Sequence, residues 1–341
     1  MVMLEKLLDI YSDEIPAFLF EVADSPQMRR LRGIGMNCGC EYTSFELFSH
    51  LETYSRFTHS MGVGAIVWNF THDPVQAIAG LLHDVASPAF AHVIDFMKGD
   101  YLVQESTEER TCGIIASSAQ ICEVLAMLGI TVGQVSDYHI YPVADNDTPR
   151  LSADRLEYTM GNILNYRLGT LKDVERYYRD LEVALNDEGR EELCFRSEET
   201  AGEFAMKALE CGKVYVCDAD RYSMQYLSEI VRSAMARRLF DESLLYTTEK
   251  QVIAALNSDP EGMAGWDCFC RLRSVRKVGD GAEGNGTYPV RKISAKKRYI
   301  DPYVAGKGRV SELNRIFREE VEAFRTYSFD YYLEGRDTEN I

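Results

Sequence analysis

The sequence lacks any apolar run that approaches the ~20 residues needed to cross a bilayer. Its start, MVMLEKLLDIYSDE, lacks the basic and long apolar stretches of a secretion signal. None of its nine cysteines forms a CxxC pair. We therefore expect a reduced, cytoplasmic protein with no membrane partner. The pairs Cys38-x-Cys40 and Cys268-x-Cys270 leave zinc binding open, but neither has a neighbouring histidine, and small buried cysteines are the simpler interpretation.

Positive charge is also scarce, since 37 Lys and Arg residues face 54 Asp and Glu residues and give a net charge of −17. Such a field repels nucleic-acid backbones and anionic membranes unless a local basic patch overrides it. Polymeric nucleic acid is therefore not expected as a partner. A small anionic substrate stays compatible, because a few arginines in a cleft can set the local potential.

Period-two alternation is rare, and internal repeats are absent, whereas helical periodicity dominates the first 250 or so of the 341 residues. This pattern predicts an all-α fold class, with a helical body over residues 1–258. The sequence pattern changes after about residue 258, where GDGAEGNGTYP is typical of a loop and VRKISAKKRYI is typical of a strand. We predict that residues 259–341 form a small α+β C-terminal region.

Histidines are few but concentrated: five of the six, at positions 50, 59, 72, 83 and 92, fall within 43 residues. His59 lies in the predicted helix SRFTHSMGVGA, and Arg56, three residues earlier, shares its face. His50 and His72 fit no pattern with the others, so we interpret them as surface or packing residues.

The stretch LLHDVASPAFAHVIDF places four ionisable side chains among apolar ones. His83 and Asp84 end a predicted apolar helix. Ser87-Pro88 then predicts an N-cap and a first-turn proline, and the new helix would turn His92 and Asp95 to one side.

A third polar group occurs in SADRLEYTMGNIL, where Asp154, Tyr158 and Asn162 recur every four residues and Arg155 can lean towards the same cleft. Histidine and carboxylate ligands from three helices suit one divalent transition metal, such as Mn, Fe, Ni, Co or Zn. A metal would also compensate the cost of burying these groups, which an apolar core does not do.

In their order, the blocks RLRGIG, SRFTHSMGVG, LLHDVASPAFAH and ADRLEY resemble the HD-domain metal-dependent phosphohydrolases. The resemblance covers roughly residues 26–165 and is nearest to the deoxynucleoside triphosphate triphosphohydrolase branch. A later IDPYV, near Ile300, is only faintly similar to that branch. The resemblance implies an HD-domain helical bundle.

The resemblance also implies roles for particular residues. It implies that His59, His83, Asp84 and Asp154 bind the metal. It implies that Arg56 and Arg155 contact phosphate, and that His92 is catalytic with the support of Asp95. It also implies that Tyr158 and Asn162 contact the sugar, although Asn162 stands where that branch has an Asp.

Two positions depart from the branch. Ser87 stands where the family has a further histidine, and Thr107-Glu108 replaces a His-Glu pair. Metal binding should survive both changes. Because histidines that handle the phosphate and its leaving group are lost, the substrate could be a phosphomonoester or a nucleotide other than a dNTP.

We predict a metal-dependent phosphohydrolase that acts on a nucleotide or another small phosphate ester through metal-activated water. One alternative is a catalytically weak regulatory protein that binds metal or nucleotide, although His92 and Asp95 would then serve no purpose. Another is a di-iron oxygenase, which would need additional His or carboxylate ligands between His83-Asp84 and Asp154, an interval in which His92 and His139 are the available histidines. The basic run Lys296–Arg298 is interpreted as a solvated face rather than a phosphate contact, and a homo-oligomer stays open.

Overall fold

The computed structural model describes residues 6–99, 110–282, 284 and 286–338. Most of these residues are helical. The first nine α-helices are α1 Leu7–Tyr11, α2 Ala17–Ala23, α3 Pro26–Arg29, α4 Arg56–Thr71, α5 Pro74–Leu82, α6 Val93–Lys98, α7 Thr111–Ser117, α8 Ala119–Met127 and α9 Val132–Val135. The next nine are α10 Ala153–Asn165, α11 Leu171–Arg179, α12 Glu198–Val214, α13 Asp218–Ala236, α14 Glu242–Leu245, α15 Glu249–Leu256, α16 Pro260–Arg271, α17 Val310–Leu313 and α18 Arg315–Thr326. Short 3-10 helices span Arg30–Gly33, Cys40–Tyr42, Glu46–Phe48 and Tyr138–Ile140.

Two small sheets accompany the helices. Their strands are β1 Leu181–Leu185, β2 Glu191–Phe195, β3 Ser274–Val278, β4 Val290–Lys292, β5 Tyr303–Val304, β6 Gly308–Arg309 and β7 Tyr332–Arg336. The four-stranded sheet has the order β1-β2-β5-β6, in which β2 and β5 run parallel and the other pairs antiparallel. The three-stranded antiparallel sheet has β7 at its centre, between β3 and β4.

The predicted all-α fold class is wrong, because the chain combines helices with these two sheets. Sheet structure is also not confined to the end of the chain, since β1 and β2 lie well before residue 258. Helical periodicity in the sequence predicts one helix over residues 171–185, but α11 ends at Arg179, and LEVAL forms a strand in which Leu181, Val183 and Leu185 alternate with their neighbours. A tight turn with Gly189 at φ +72° returns the chain into β2. The division at residue 258 stays a prediction.

Helix α4 is central, and its sequence explains why. Ser55 caps its N-terminus by accepting a hydrogen bond from the Thr58 backbone N–H. Two glycines on this helix permit close packing. A Cβ on Gly62 would lie 2.6 Å from the Glu157 side chain of α10, and one on Gly64 would lie 3.1 Å from Leu81 of α5. Helices α5 and α10 therefore pack directly against α4.

The segment between α5 and α6 differs from the predicted helix over 88–97. Phe90 and Ala91 have positive φ values of 61° and 44°, which an α-helix does not allow. The helix α6 begins only at Val93, with His92 at its N-cap position. Ser87 does not cap a helix, because its Oγ donates to Asp84 Oδ1 at 2.7 Å.

Two apolar cores are distinguished by the elements that build them. The first core packs α4, α5 and α10 against α12 and α18, through residues such as Val63, Leu81 and Leu156. The second core packs the 89–96 segment against α13, α16 and the three-stranded sheet, through residues such as Phe90 and Leu227. Among the described helices, none combines the length and apolar character required to cross a lipid bilayer.

Candidate metal centre

Four of the predicted metal ligands meet at one point where α4, α5 and α10 approach. His59 comes from the middle of α4, His83 and Asp84 follow α5, and Asp154 lies in the first turn of α10. The Nε2 atom of His59 lies 3.1 Å from both His83 Nε2 and Asp154 Oδ1. Asp84 Oδ2 lies 3.5 Å from His83 Nε2 and 3.9 Å from His59 Nε2.

The outer nitrogen of each imidazole has its own acceptor. His59 Nδ1 lies 2.5 Å from Glu157 Oε2, which also accepts from the Tyr54 hydroxyl. His83 Nδ1 lies 2.7 Å from the carbonyl oxygen of Gly80. Because oxygen acceptors require an N–H on Nδ1, the neutral rings direct both Nε2 lone pairs at each other.

Two lone pairs at 3.1 Å repel each other unless a cation or a proton lies between them. The charged groups around the two imidazoles also favour a cation or a proton at this position. Burial is the largest influence on His59 and opposes its charge, but hydrogen bonds with Asp154 and Glu157 raise its pKa to about 10. Burial also opposes ionisation of Asp84, yet Arg56 and the two histidines hold its pKa well below the usual range. The ligand atoms of His59, His83 and Asp154 lie within 4.8 Å of one another, with Asp84 beside them, and this donor set fits a divalent transition metal.

Arg56 lies beside this cluster at the start of α4. Its Nη1 donates to Asp84 Oδ2 at 2.6 Å, and the residue is almost fully buried. Its Nε is also buried and has no hydrogen-bond partner among the described residues. The arginine is thus fixed by one ligand carboxylate while retaining an unused donor.

His92 and Asp95 form a pair on the wall of the same cavity. His92 Nδ1 donates to Asp95 Oδ2 at 2.9 Å, and Asp95 is fully buried. Burial is the largest influence on His92 and lowers its pKa, and the positive charges of Arg298 and Arg56 act in the same direction. The neutral ring therefore presents Nε2 to the cavity as an acceptor.

Arg155 reaches the cavity wall but directs its guanidinium elsewhere. Its Nη1 lies 3.1 Å from Asp145 Oδ1, its Nε donates to the carbonyl oxygen of Arg150 at 2.7 Å, and its Nη2 donates to Asn146. These contacts bind the 145–150 loop to α10. The predicted phosphate contact of Arg155 stays a prediction.

The remaining predicted substrate contacts lie along α10 on the wall of a cavity of about 360 Å³. Tyr158 packs at 6.4 Å from the His59 ring and 6.2 Å from the Tyr215 ring, measured between centroids. Asn162 Nδ2 donates to the Tyr215 hydroxyl at 2.8 Å. Tyr166 also lines the cavity, so this wall is rich in tyrosine.

Several residues of this site were not foreseen. Glu157 follows Asp154 by three residues, and that spacing on a helix could have indicated a shared side. Lys296 and Arg298 line the cavity although the basic run was interpreted as solvated. Of the two departures from the family pattern, Ser87 binds Asp84, whereas Thr107-Glu108 lies outside the described residues.

The cysteine pairs do not assemble a second centre. All nine cysteines are free, and Cys38 and Cys40 are buried. Cys40 Sγ lies 3.5 Å from Asp220 Oδ2. Among the described residues, the cluster of possible ligands found is that of His59, His83 and Asp154.

No protein-family model matches the chain. It is 24% identical over 247 residues to the uncharacterized protein YdhJ of Bacillus subtilis, covering 72% of each chain. It is also 24% identical over 178 residues to the metal-dependent phosphohydrolase cns2 of Cordyceps militaris. That match covers 51% of this chain and 49% of cns2, so it spans about half of the relative. The chain is thus distantly related to a protein named as a metal-dependent phosphohydrolase.

Proposed function

We propose that this chain is an HD-type metal-dependent phosphohydrolase that acts on a small phosphate ester or anhydride. The observation that carries the proposal is the convergence of His59, His83 and Asp154 on one point at the wall of a cavity, with Asp84 beside them. The distant relationship to cns2 supports the same class.

The metal would supply Lewis acidity, both to a phosphoryl oxygen and to the attacking water. The chain's own residues have separate tasks. Glu157 and Gly80 hold the two imidazoles in the orientation that exposes Nε2. Arg56, anchored on Asp84, lines the cavity, and its positive charge can neutralise charge that develops on the transferring phosphoryl group.

His92 is the candidate for proton transfer. Its Nδ1–H is held by Asp95, so the tautomer is fixed and Nε2 is available to the substrate. An anionic phosphate beside the ring favours the charged imidazolium, which can then donate a proton to the leaving oxygen. His92 therefore need not be charged before the substrate binds.

We propose a nucleotide as the substrate. The cavity volume of about 360 Å³ is in the range of small-molecule sites. Tyr158, Tyr166 and Tyr215 offer aromatic faces to a base or a sugar, and Asn162 lies among them. The acidic charge of the whole chain disfavours a nucleic-acid polymer in the same place.

The oxygenase alternative gains no support from the geometry. His139 Nδ1 lies 3.1 Å from Asp137 Oδ1, and its Nε2 lies 3.5 Å from Asp145 Oδ2, so this histidine is engaged with the 137–145 segment. Among the described residues, the group whose ligand atoms lie within 4.8 Å of one another consists of His59, His83 and Asp154, and it includes neither His92 nor His139.

One experiment tests the proposal. Protein purified without chelators should contain about one transition metal per chain. A panel of nucleotides and phosphomonoesters, assayed with Mn, Fe, Co, Ni and Zn, should reveal metal-dependent release of phosphate, pyrophosphate or triphosphate, each measured separately. Chelation should stop the release and metal should restore it. Turnover that survives complete removal of metal, or no turnover with any metal and substrate, would refute the proposal.

A further inference from the structure

Two cations on the cavity wall come from a part of the chain that lies outside the motifs of residues 26–165. Lys296 and Arg298 follow strand β4, and both are half-buried and line the cavity that contains the candidate ligands. The fold thus brings two positive charges to a site whose lining also includes the carboxylates of Asp84, Asp154 and Asp220.

Lys297, the residue between Lys296 and Arg298, does not line the cavity and contacts the end of α18 instead. Lys297 Nζ donates to the carbonyl oxygens of Arg325, at 2.6 Å, and Tyr327, at the end of α18. Residues 293–302 are neither helical nor part of a strand, so nothing in the secondary structure forces this alternation. The segment therefore presents two of its three basic side chains to the cavity and anchors itself with the third.

Arg298 and Arg56 line different parts of the cavity. Arg56 lies beside the candidate ligands, where it pairs with Asp84. Burial is the main influence on His92 and Tyr158, and Arg298 is among the charges that lower the pKa of each. Its guanidinium thus acts on the part of the cavity between His92 and Tyr158.

Two expected phosphate contacts have other partners. The guanidinium of Arg155 is directed at Asp145 and the 146–150 backbone, and the hydroxyl of Ser87 donates to Asp84. Charge on a bound phosphate beyond the reach of the metal and Arg56 therefore needs other cations.

We propose that Lys296 and Arg298 form an anion subsite that binds the oxygens of a second phosphate group of the substrate. The subsite deepens the proposed function and rests on it, since it specifies a substrate with at least two phosphate groups. Both side chains suit the task, because an ammonium and a guanidinium form charge-assisted hydrogen bonds with phosphate oxygens.

The test measures binding of pyrophosphate and of inorganic phosphate to the metal-loaded chain by calorimetry, with metal content checked after each titration. We expect Lys296→Met and Arg298→Met each to weaken pyrophosphate binding about ten- to a hundredfold, as loss of a charged hydrogen bond does. Inorganic phosphate, held at the metal, should bind all variants within about threefold of the wild type. The matched control is Lys292→Met, which removes the same charge from an exposed side chain of β4 that pairs with Asp330 and does not line the cavity, and it should bind pyrophosphate as the wild type does.

Charge-conserving variants guard against a folding defect. Lys296→Arg and Arg298→Lys should bind pyrophosphate nearly as well as the wild type, and melting temperatures should show that each variant is folded. On a substrate found by the nucleotide panel, the Met variants should raise KM and leave kcat within a few-fold. A wild type that binds pyrophosphate no more tightly than phosphate, or a Lys292→Met variant as weak as the other two, would overturn the subsite.

The two proposals can fail separately. If no compound is hydrolysed but the pattern of pyrophosphate binding holds, the hydrolase function fails and the anion subsite stands. If metal-dependent hydrolysis occurs and the Met variants bind pyrophosphate like the wild type, the subsite alone fails.

Discussion

The two apolar cores contribute different chemistry to one cavity. The metal-ligand candidates project from α4, α5 and α10, which belong to the first core. His92 and Asp95 lie in the 89–96 segment, whose apolar neighbours belong to the second core with α13 and α16. The positions of the candidate ligands and of His92, proposed for proton transfer, thus depend on separate packing. Metal binding and proton transfer should therefore be separable by mutation.

The largest effect should come from the first core. His83→Ala and Asp154→Ala should each lower the metal content from about one ion per chain to none and abolish turnover, because each removes a ligand atom from the cluster. Metal analysis and the nucleotide assay on one preparation measure both. His72→Asn is the control, since His72 ends α4 with φ +50°, which Asn tolerates, and it packs on Trp68 away from the cavity. Full metal content in either ligand variant would make the cluster structural.

A substitution at His92, in the segment that packs on the second core, should leave the metal content unchanged. His92→Asn retains a donor near the position of Nδ1 for Asp95 but removes Nε2 from the cavity. We expect kcat to fall by about 10²–10⁴, the range of general acid–base catalysis, with metal content and melting temperature near the wild type.

The companion variant His92→Ala separates catalysis from packing. It removes the donor to Asp95, which is fully buried, so the free energy of unfolding should fall by about 1–3 kcal/mol in addition to the loss of turnover. Equal turnover of His92→Asn and the wild type would remove this residue from the mechanism.

Glu157→Gln should have a smaller effect on the first core. The carboxylate that orients His59 and accepts from Tyr54 is replaced by an amide, and metal affinity should fall about 10–100-fold. A competition titration with a metal-sensitive dye measures the change. Glu175→Gln, on the exposed side of α11, should bind metal unchanged. Unaltered affinity of Glu157→Gln would show that the orientation of His59 does not depend on this carboxylate.

The smallest effect concerns acid stability. The pKa of His92 is lowered in the fold, mainly by burial, so below about pH 6.5 the unfolded chain takes up a proton that the folded chain does not. The contribution of His92 to stability is present above that pH and is lost as the pH falls towards the folded pKa. In chelator-treated protein, the loss of melting temperature between about pH 7 and about pH 5.5 should be smaller for His92→Asn than for the wild type. Parallel pH profiles would contradict the lowered pKa.

The local sequence predicts more of the helices than of the sheets. Caps such as Ser55 and Ser152 mark the starts of α4 and α10, and both helices form where their periodicity predicts. The hairpin of β1 and β2 was missed because LEVAL continues the apolar pattern of α11, and its strand character depends on pairing with residues 191–195. That pairing extends to Val304, more than a hundred residues later, which no local pattern can indicate.

The candidate site likewise contains some residues that the sequence predicts and others that it does not. The spacing of His59, His83-Asp84 and Asp154, together with the family resemblance, predicts a metal site, and three of these residues, His59, His83 and Asp154, have ligand atoms within 4.8 Å of one another. Lys296 and Arg298 could not be placed, because the sequence separates them from Asp154 by more than 140 residues and only the folded chain brings them to its cavity. His92 lies on the cavity wall, and its lowered pKa follows mainly from burial that the sequence does not show.

In the proposed metal site, the 3.1 Å between the Nε2 atoms of His59 and His83 makes a proton and a metal ion compete for the same space. Hydrogen bonds with Asp154 and Glu157 raise the pKa of His59 to about 10 despite its burial, so a metal ion that binds there would have to displace a proton. On this proposal, the apparent metal affinity should weaken as the pH falls. Calorimetric titrations in buffers of different ionisation enthalpy would count the expelled proton directly.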